Sequence, residues 1–134
     1  MSLTVFGEEG VDLTDNSTTV EDLKNAVRSF VKEREWEKFH TLRNLAESIS
    51  IESAELLEVF QWTTEDEGSH AGNDQVRLRL ESELADILVY CVSLANAAGI
   101  DISKAFFDKM RRNEQRYPVE KFRGVYVKPG GAET

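Results

Sequence analysis

Residues 83–98 read ELADILVYCVSLANAA, an apolar run that opens with the acidic pair Glu83 and Asp86. After this pair, apolar residues occupy nearly every side of a helix, which predicts a central helix or one at a subunit interface. A second acidic pair, Glu52 and Glu55 in the sequence ESAE, has the same three-residue spacing in an earlier apolar stretch. Because residues three apart share a helical face, each pair presents two carboxylates on one side of its helix.

The rest of the chain also favours helices. Its 2 prolines are Pro118 and Pro129, so the long stretch before them contains no strong helix breaker. Thr18 or Thr19 suits the start of a first helix, and Asp101 the start of a last one, after a stop at Gly99. Periodicity predicts an all-α, four-helix-bundle-like fold. The predicted helices lie near residues 19–35, 43–62, 74–98 and 102–116.

Length and charge limit the function classes. A chain of 134 residues fits one domain by length, and we expect a flexible segment at 1–17, a helical catalytic domain at 18–118 and an irregular tail at 119–134. The net charge of -9 excludes a nucleic-acid backbone as the expected partner. The apolar run is too short for a membrane span, and no signal peptide is recognisable. We therefore expect a cytoplasmic protein without a membrane partner.

The helical positions of the acidic residues separate a site from a wet surface. At about 100° per residue, Glu52 falls within the apolar stripe of its helix and Glu55 at the edge of that stripe, beside Trp62. Glu47 and Glu58 fall on the opposite, polar face. Carboxylates gathered between two helices repel one another unless a cation lies between them, which predicts a site for a hard divalent metal. Raised pKa values or salt bridges are the alternative way to accommodate them.

The last predicted helix carries complementary groups. Lys109, Asn113 and Arg116 step by four and three residues and so share one face with Tyr117. Cationic and amide donors beside a metal site suit the charge and oxygen atoms of a triphosphate. Alternatively, Lys109 and Arg116 would simply pair with the carboxylates.

Together these motifs resemble the MazG-like superfamily of all-α nucleoside triphosphate pyrophosphohydrolases. The signature is a pair of E-x-x-[ED] motifs, here ESAE at 52–55 and ELAD at 83–86. The surrounding sequence is similar to the dCTP pyrophosphatase branch. The similar stretches are REWEKFH at 34–40, RNL at 43–45, EVFQW at 58–62 and the residues Lys109, Met110, Asn113, Arg116, Tyr117 and Pro118.

The resemblance implies a reaction and a set of site residues. Four carboxylates, Glu52, Glu55, Glu83 and Asp86, would hold Mg²⁺, with Mn²⁺ as a possible substitute, while water attacks the α-phosphorus of a nucleoside triphosphate. Of these, Glu55 is the residue we expect to act as general base. The implied substrate-binding residues are Trp36, Phe39, His40, Trp62, Tyr90, Lys109, Asn113, Arg116 and Tyr117. Core packing is the alternative role for the aromatic side chains, and a loop hydrogen bond for His40.

The sequence thus predicts an Mg²⁺-dependent pyrophosphohydrolase that releases pyrophosphate from dCTP or a modified dCTP. One departure from the branch is Val27, where animal members have a His, and this position bears on the preferred base. The alternative function is a helical module for oligomerisation or nucleotide sensing without catalysis. A di-iron bundle would need His at helical spacing from Glu, which His40 and His70 do not provide. We expect a homodimer or a dimer-of-dimers tetramer, because an all-round apolar helix needs cover on every side.

Overall fold

The computed structural model describes residues 12–63 and 74–125, and every regular element in these two ranges is helical. The all-α prediction is therefore confirmed for this part of the chain. The helices are α1 (Val20–Glu33), a 3₁₀ turn (Glu37–Phe39), α2 (Leu42–Glu58), α3 (Asp74–Ala98), α4 (Ile102–Arg116) and α5 (Val119–Phe122). Residues 1–11 of the predicted N-terminal segment and 126–134 of the predicted tail lie outside the described residues.

The chain divides into two compact units, Met1–Ile100 and Asp101–Thr134. In the first unit, α3 packs mainly against α2 and also against α1. The buried apolar side chains of this unit come from all three helices and the turn after α2, and they are Val31, Leu45, Val59, Val76, Val92 and Ala95. This core fixes α2 and α3 side by side, which brings their acidic pairs together.

The second unit consists of α4 and α5. Asp101 caps α4 by accepting a hydrogen bond from the Lys104 backbone nitrogen at 2.8 Å, as the sequence predicted. At the other end, the Tyr117 ring packs edge-on against Phe122, with 5.2 Å between ring centroids. The prediction of an irregular tail is wrong for its first residues, because Val119–Phe122 form the short helix α5 directly after Pro118.

Local signals explain most of the helix boundaries. Thr19 accepts a hydrogen bond from the Asp22 backbone, and the Asp22 carboxylate accepts one from the Thr19 backbone, which together form a capping box. Gly99 has a φ of 66° and ends α3 in the left-handed conformation that glycine adopts without strain. The predicted extension of α2 to residue 62 is wrong, because the helix ends at Glu58 and tight turns follow.

The C-terminal ends of α1 and α3 use the same backbone turn with different residues. After α1, Trp36 N donates to Val31 O at 3.0 Å, while Glu35 adopts a φ of 53°. After α3, Ile100 N donates to Ala95 O at 2.9 Å, while Gly99 occupies the left-handed position. Both are Schellman motifs, but only the second has the residue that makes this conformation easy.

These two turns predict stability changes of opposite sign. Gly99→Ala should destabilise the protein by about 1 kcal/mol, because no atom lies within 4 Å of the added Cβ and the cost is the backbone conformation alone. Glu35→Gly should stabilise it by about 0.5 kcal/mol, since relief of strain exceeds the added entropy of the unfolded chain. Urea denaturation measures both values. A neutral Gly99→Ala variant would contradict this account.

None of the described helices is by itself long and apolar enough to cross a membrane; α3 and α4 satisfy such a criterion only when taken together, by length and composition.

Several large apolar side chains of α3 are exposed in the single chain. Leu84, Leu88 and Val89 are each about half exposed, at 48%, 52% and 48%. The helix that the sequence indicated as apolar on all sides is thus only partly covered within its own chain.

Candidate active site

The two acidic pairs meet where α2 and α3 pack together. Glu52 and Glu55 lie one helical turn apart on α2, and Glu83 faces them from α3. One carboxylate oxygen from each of these three residues lies within 4.8 Å of the other two. Three carboxylate oxygens at this spacing form a donor set of the kind that hard divalent cations prefer. The predicted gathering of carboxylates is therefore present for three of its four members.

Asp86, the fourth predicted member, lies at the border of this cluster. Its side chain is exposed and does not belong to the group of three. Its negative charge nevertheless raises the pKa of both Glu52 and Glu83, so it contributes to the same electrostatic environment. Asp86 is thus placed to add charge or a further oxygen ligand at the open side.

Two oxygens of the cluster are buried without a partner. Glu52 Oε2 and Glu83 Oε2 have no hydrogen bond to any described group, and both residues are half-buried. An ionised carboxylate can only accept hydrogen bonds, so these two oxygens cannot satisfy one another while both residues are ionised. A divalent cation would satisfy both, and the residues present therefore fit such an ion.

Without a cation, protonation relieves the repulsion. The pKa of Glu52 is raised to about 7, first by a hydrogen bond with the Glu55 carboxyl that requires a proton, then by burial and by the charges of Glu55, Asp86 and Glu83. Burial is the main cause that raises the pKa of Glu83, and the nearby Arg79 opposes this rise without cancelling it. The cluster therefore holds a proton where it could hold a metal ion.

An apolar cavity of about 350 Å³ lies in the same unit, between α1, α3 and the segment after α1. Trp36, His40 and Tyr90 line it, together with apolar residues of α1 and α3. The Schellman turn at Glu35 directs Trp36 back onto α1, where its ring packs edge-on against Phe30 at 5.7 Å between centroids. Three of the predicted substrate-binding side chains are thus brought to one cavity, and flat rings on its wall suit a planar ligand.

A second cavity of about 330 Å³ adjoins the first and is more polar. Arg28, Glu37 and Asn96 line it, and both cavities share a set of wall residues, namely Val27, Val31, His40 and Ser93. Ser93 shares a helical face with Asp86, seven residues earlier, but nothing in the local sequence marks Arg28, Glu37 or Asn96 as residues of a cavity wall. Only the packing of α1 on α3 places them on one wall.

Two other aromatic residues expected near a base lie on the surface. Phe39 is 58% exposed and Trp62 is 92% exposed, and neither lines either of the two cavities described above. Trp62 was expected beside Glu55 on a continuous helix, but the turn after Glu58 removes it from that stripe and gives it a φ of 67°. Their contact with a substrate stays a prediction.

The remaining predicted site residues belong to the second unit. Lys109, Asn113 and Arg116 lie along α4, and Tyr117 follows as its C-terminal cap residue. Asn113 and Tyr117 are half-buried, and the Arg116 guanidinium carbon lies 5.7 Å from the centre of the Tyr117 ring. The predicted common face is therefore compatible with the helix, and its role towards phosphate stays a prediction.

The described part of the chain is all-α and carries a cluster of three carboxylates between two packed helices, a donor set that suits a divalent cation. The MazG-like family model matches residues 47–129, which include both acidic pairs. The chain belongs to the MazG-like family.

Curated relatives and a solved structure agree with this assignment. The chain is 42% identical over 111 residues to dCTP pyrophosphatase 1 of Rattus norvegicus, covering 82% of this chain but only 65% of the rat protein. It is 42% identical over 121 residues to dCTP pyrophosphatase 1 of Bos taurus, covering 87% of this chain and 72% of the bovine one. A pyrophosphatase from Archaeoglobus fulgidus DSM 4304 superposes with a TM-score of 0.69 at 39% identity, covering 80% of this chain and 99% of that structure.

Proposed function

We propose that this chain is an Mg²⁺-dependent nucleoside triphosphate pyrophosphohydrolase that converts dCTP, or a modified dCTP, to the monophosphate and pyrophosphate. The observation that carries the proposal is the cluster of Glu52, Glu55 and Glu83, whose oxygens lie within 4.8 Å and include two without a partner. The names of the rat, bovine and archaeal relatives support the reaction, and those of the two mammalian proteins support the base.

The carboxylates of the cluster would have different roles according to how deeply each is buried. Glu52 and Glu83, half-buried with unpartnered oxygens, are the residues that would hold the cation. Bound Mg²⁺, or Mn²⁺ in its place, would neutralise phosphate charge and lower the pKa of a coordinated water. Glu55 is exposed and belongs to the same cluster, and it would accept the proton of the attacking water. Asp86 would complete the negative side of the site.

Different groups of residues would bind the base and the phosphates of the nucleotide. The base would enter the apolar cavity and stack against Trp36 or Tyr90, with His40 at its edge. The exposed Phe39 and Trp62 would then cover it from outside. The phosphates and sugar would be bound by the donor groups of the second unit, which are Lys109, Asn113, Arg116 and Tyr117.

Three further properties belong to the proposal. The exposed apolar side chains of α3 support a homodimer or a dimer-of-dimers tetramer, in which a second copy would cover Leu84, Leu88 and Val89. Sedimentation that detects only monomer at micromolar concentration would contradict this assembly.

We also propose a cytoplasmic location. We further propose that the chain does not bind nucleic acid, in keeping with its net charge of -9.

A product assay tests the reaction. Purified protein with MgCl₂ is incubated with each ribo- and deoxynucleoside triphosphate, and the products are separated by ion-exchange chromatography. We expect equal amounts of monophosphate and pyrophosphate, with dCTP among the best substrates. Orthophosphate as the product would place the attack at the wrong phosphorus. No turnover of any nucleotide would favour the alternative, a helical module that binds or senses nucleotides without catalysis.

The pKa of Glu52 predicts how metal affinity depends on pH. In the metal-free protein its pKa is about 7, against an ordinary value of 4.5, so Mg²⁺ must displace a proton below pH 7. Affinity should therefore rise as the pH increases from 5.5 to about 8 and then level off. Calorimetric titration with MgCl₂ at several pH values measures this, and Glu52→Gln should weaken binding and flatten its pH dependence. Wild-type affinity that is constant across this range would contradict the prediction.

The raised pKa of Glu52 also affects the stability of the metal-free protein, which should decrease with pH where metal affinity increases. Between the unfolded pKa of 4.5 and the folded pKa of about 7, the folded chain binds more protons than the unfolded chain. The free energy of unfolding should therefore fall as pH rises through this window and level off above it. Urea denaturation in EDTA separates this contribution from that of the metal.

A further inference from the structure

Ser93 is a buried polar residue on the wall of both cavities. It is 4% exposed and is the only buried polar residue in the described ranges 12–63 and 74–125. It follows Asp86 by seven residues on α3, so the two share a helical face, two turns and about 10 Å apart. That distance is comparable to the span of a nucleotide from its phosphate to the far edge of a pyrimidine. Ser93 is thus at the depth that the far edge of a bound base would reach.

The hydroxyl of Ser93 makes one hydrogen bond within its own helix. Its Oγ donates to the backbone oxygen of Val89 at 2.9 Å, which occupies its only proton. While this bond is kept, Ser93 offers the cavities an acceptor, and to donate to a ligand it would have to give up the bond to Val89. A ligand group that carries a hydrogen therefore meets Ser93 without this loss.

The side-chain amide of Asn96, which lines the same wall, makes its hydrogen bonds to residues of α1 and not to Ser93. Arg28 donates to Asn25 Oδ1 at 2.6 Å and to Asn96 Oδ1 at 3.1 Å. Asn96 Nδ2 in turn donates to the backbone oxygen of Lys24 at 3.0 Å. The oxygen and one N–H of the Asn96 amide thus hold α1 against α3. The carboxylate of Glu37, on the same wall, is a further acceptor.

We propose that Ser93 is a specificity-determining residue that accepts a hydrogen bond from the exocyclic amino group at position 4 of a cytosine base. The inference rests on the proposed function and deepens it by assigning the choice of base to one atom. Uracil carries a carbonyl oxygen at this position, which would face the Ser93 oxygen with no hydrogen between them. A buried mismatch of two acceptors is more costly than the loss of one favourable contact, so it discriminates strongly between bases of equal size.

The test compares dCTP with dUTP, which differ at this edge of the base. For wild type we expect a higher kcat/KM with dCTP. Ser93→Ala should lower the ratio of the two kcat/KM values about tenfold, the change that one hydrogen bond of about 1.4 kcal/mol produces. Ser93→Thr keeps the hydroxyl and should retain most of the wild-type ratio. An unchanged ratio in Ser93→Ala would overturn the assignment.

Ser53 provides the matched control. Its Oγ also donates to a backbone oxygen four residues earlier, Ile49 O at 2.7 Å, but the residue is exposed and lines neither cavity. Ser53→Ala should leave the dCTP to dUTP ratio at the wild-type value. A fall equal to that of Ser93→Ala would show that loss of the helical hydrogen bond, and not base contact, is the cause.

Binding of the products distinguishes failure of this inference from failure of the proposed reaction. Calorimetry with dCMP and dUMP requires no turnover. If wild type hydrolyses no triphosphate but Ser93→Ala still loses its preference for dCMP over dUMP, the reaction is refuted and the role of Ser93 stands. If turnover is normal and neither ratio changes, the reaction stands and the role of Ser93 is refuted.

Discussion

Glu52→Gln is expected to lower the rate of pyrophosphate release by roughly a thousandfold or more. The substitution keeps the size of the side chain but replaces one of two buried, unpartnered oxygens with an amide nitrogen or a neutral oxygen. A cation would lose both charge and a ligand there. Asp86→Asn should abolish turnover in the same way. Steady-state assays with dCTP and MgCl₂ measure the loss.

The same variant should be more stable than wild type when no metal is present. Glu52 is the residue on which the charges of Glu55, Glu83 and Asp86 converge, so a neutral side chain removes that repulsion. In EDTA at pH 8 the Tm of Glu52→Gln should exceed that of wild type, and added MgCl₂ should raise it less. Opposite signs for activity and stability are typical of a functional site and not of a structural ion pair.

Glu58→Gln is the matched control for this experiment. Glu58 lies on the same helix, is exposed, and does not belong to the cluster of three carboxylates. Its substitution should change neither turnover nor metal-induced stabilisation. Wild-type activity in Glu52→Gln would remove Glu52 from the metal site and with it the main support for the proposed function.

Leu45→Ala is expected to destabilise the protein by about 2–5 kcal/mol, the range for truncating a large buried aliphatic side chain. Leu45 is 2% exposed, and within residues 12–63 and 74–125 it and Val59 are the largest side chains with almost no accessible surface. It lies on α2, where it helps to hold that helix in the core that also positions the acidic pairs. Urea denaturation, with and without MgCl₂, measures the change.

Leu57→Ala serves as the control, because it removes the same atoms from the same helix. Leu57 is 71% exposed in the chain, so its truncation should change the free energy of unfolding by no more than about 0.5 kcal/mol. Equal losses in the two variants would mean that Leu57 is covered in the assembled protein. That result would support the proposed oligomer and move its interface onto α2.

Helices and their ends could largely be predicted from the sequence because the signals are local. Thr19, Gly99 and Asp101 each act within one turn of the backbone, and each lies at the predicted boundary. The end of α2 was not predictable in this way. Val59 continues the apolar pattern, but its burial in the core accompanies a turn that the spacing of apolar residues does not encode.

The site was likewise predictable from local spacing but not where it depends on packing. Helical spacing placed Glu52, Glu55 and Glu83 on facing sides, and packing brings their oxygens together. The cavities were not predictable, since they arise where α1 crosses α3 and depend on the left-handed backbone of Glu35. A charged residue in that conformation gives no sequence signal comparable to a glycine.

The two unpartnered oxygens of the cluster have a consequence for the lifetime of the protein in a cell. A ligand that binds only the folded chain stabilises it by about 2.7 kcal/mol at a hundredfold excess over its Kd. Molecules that lose their cation would then unfold more often and meet proteases more often. Under the proposed function, cellular magnesium would therefore regulate how many copies of the protein persist, in addition to how fast each one works.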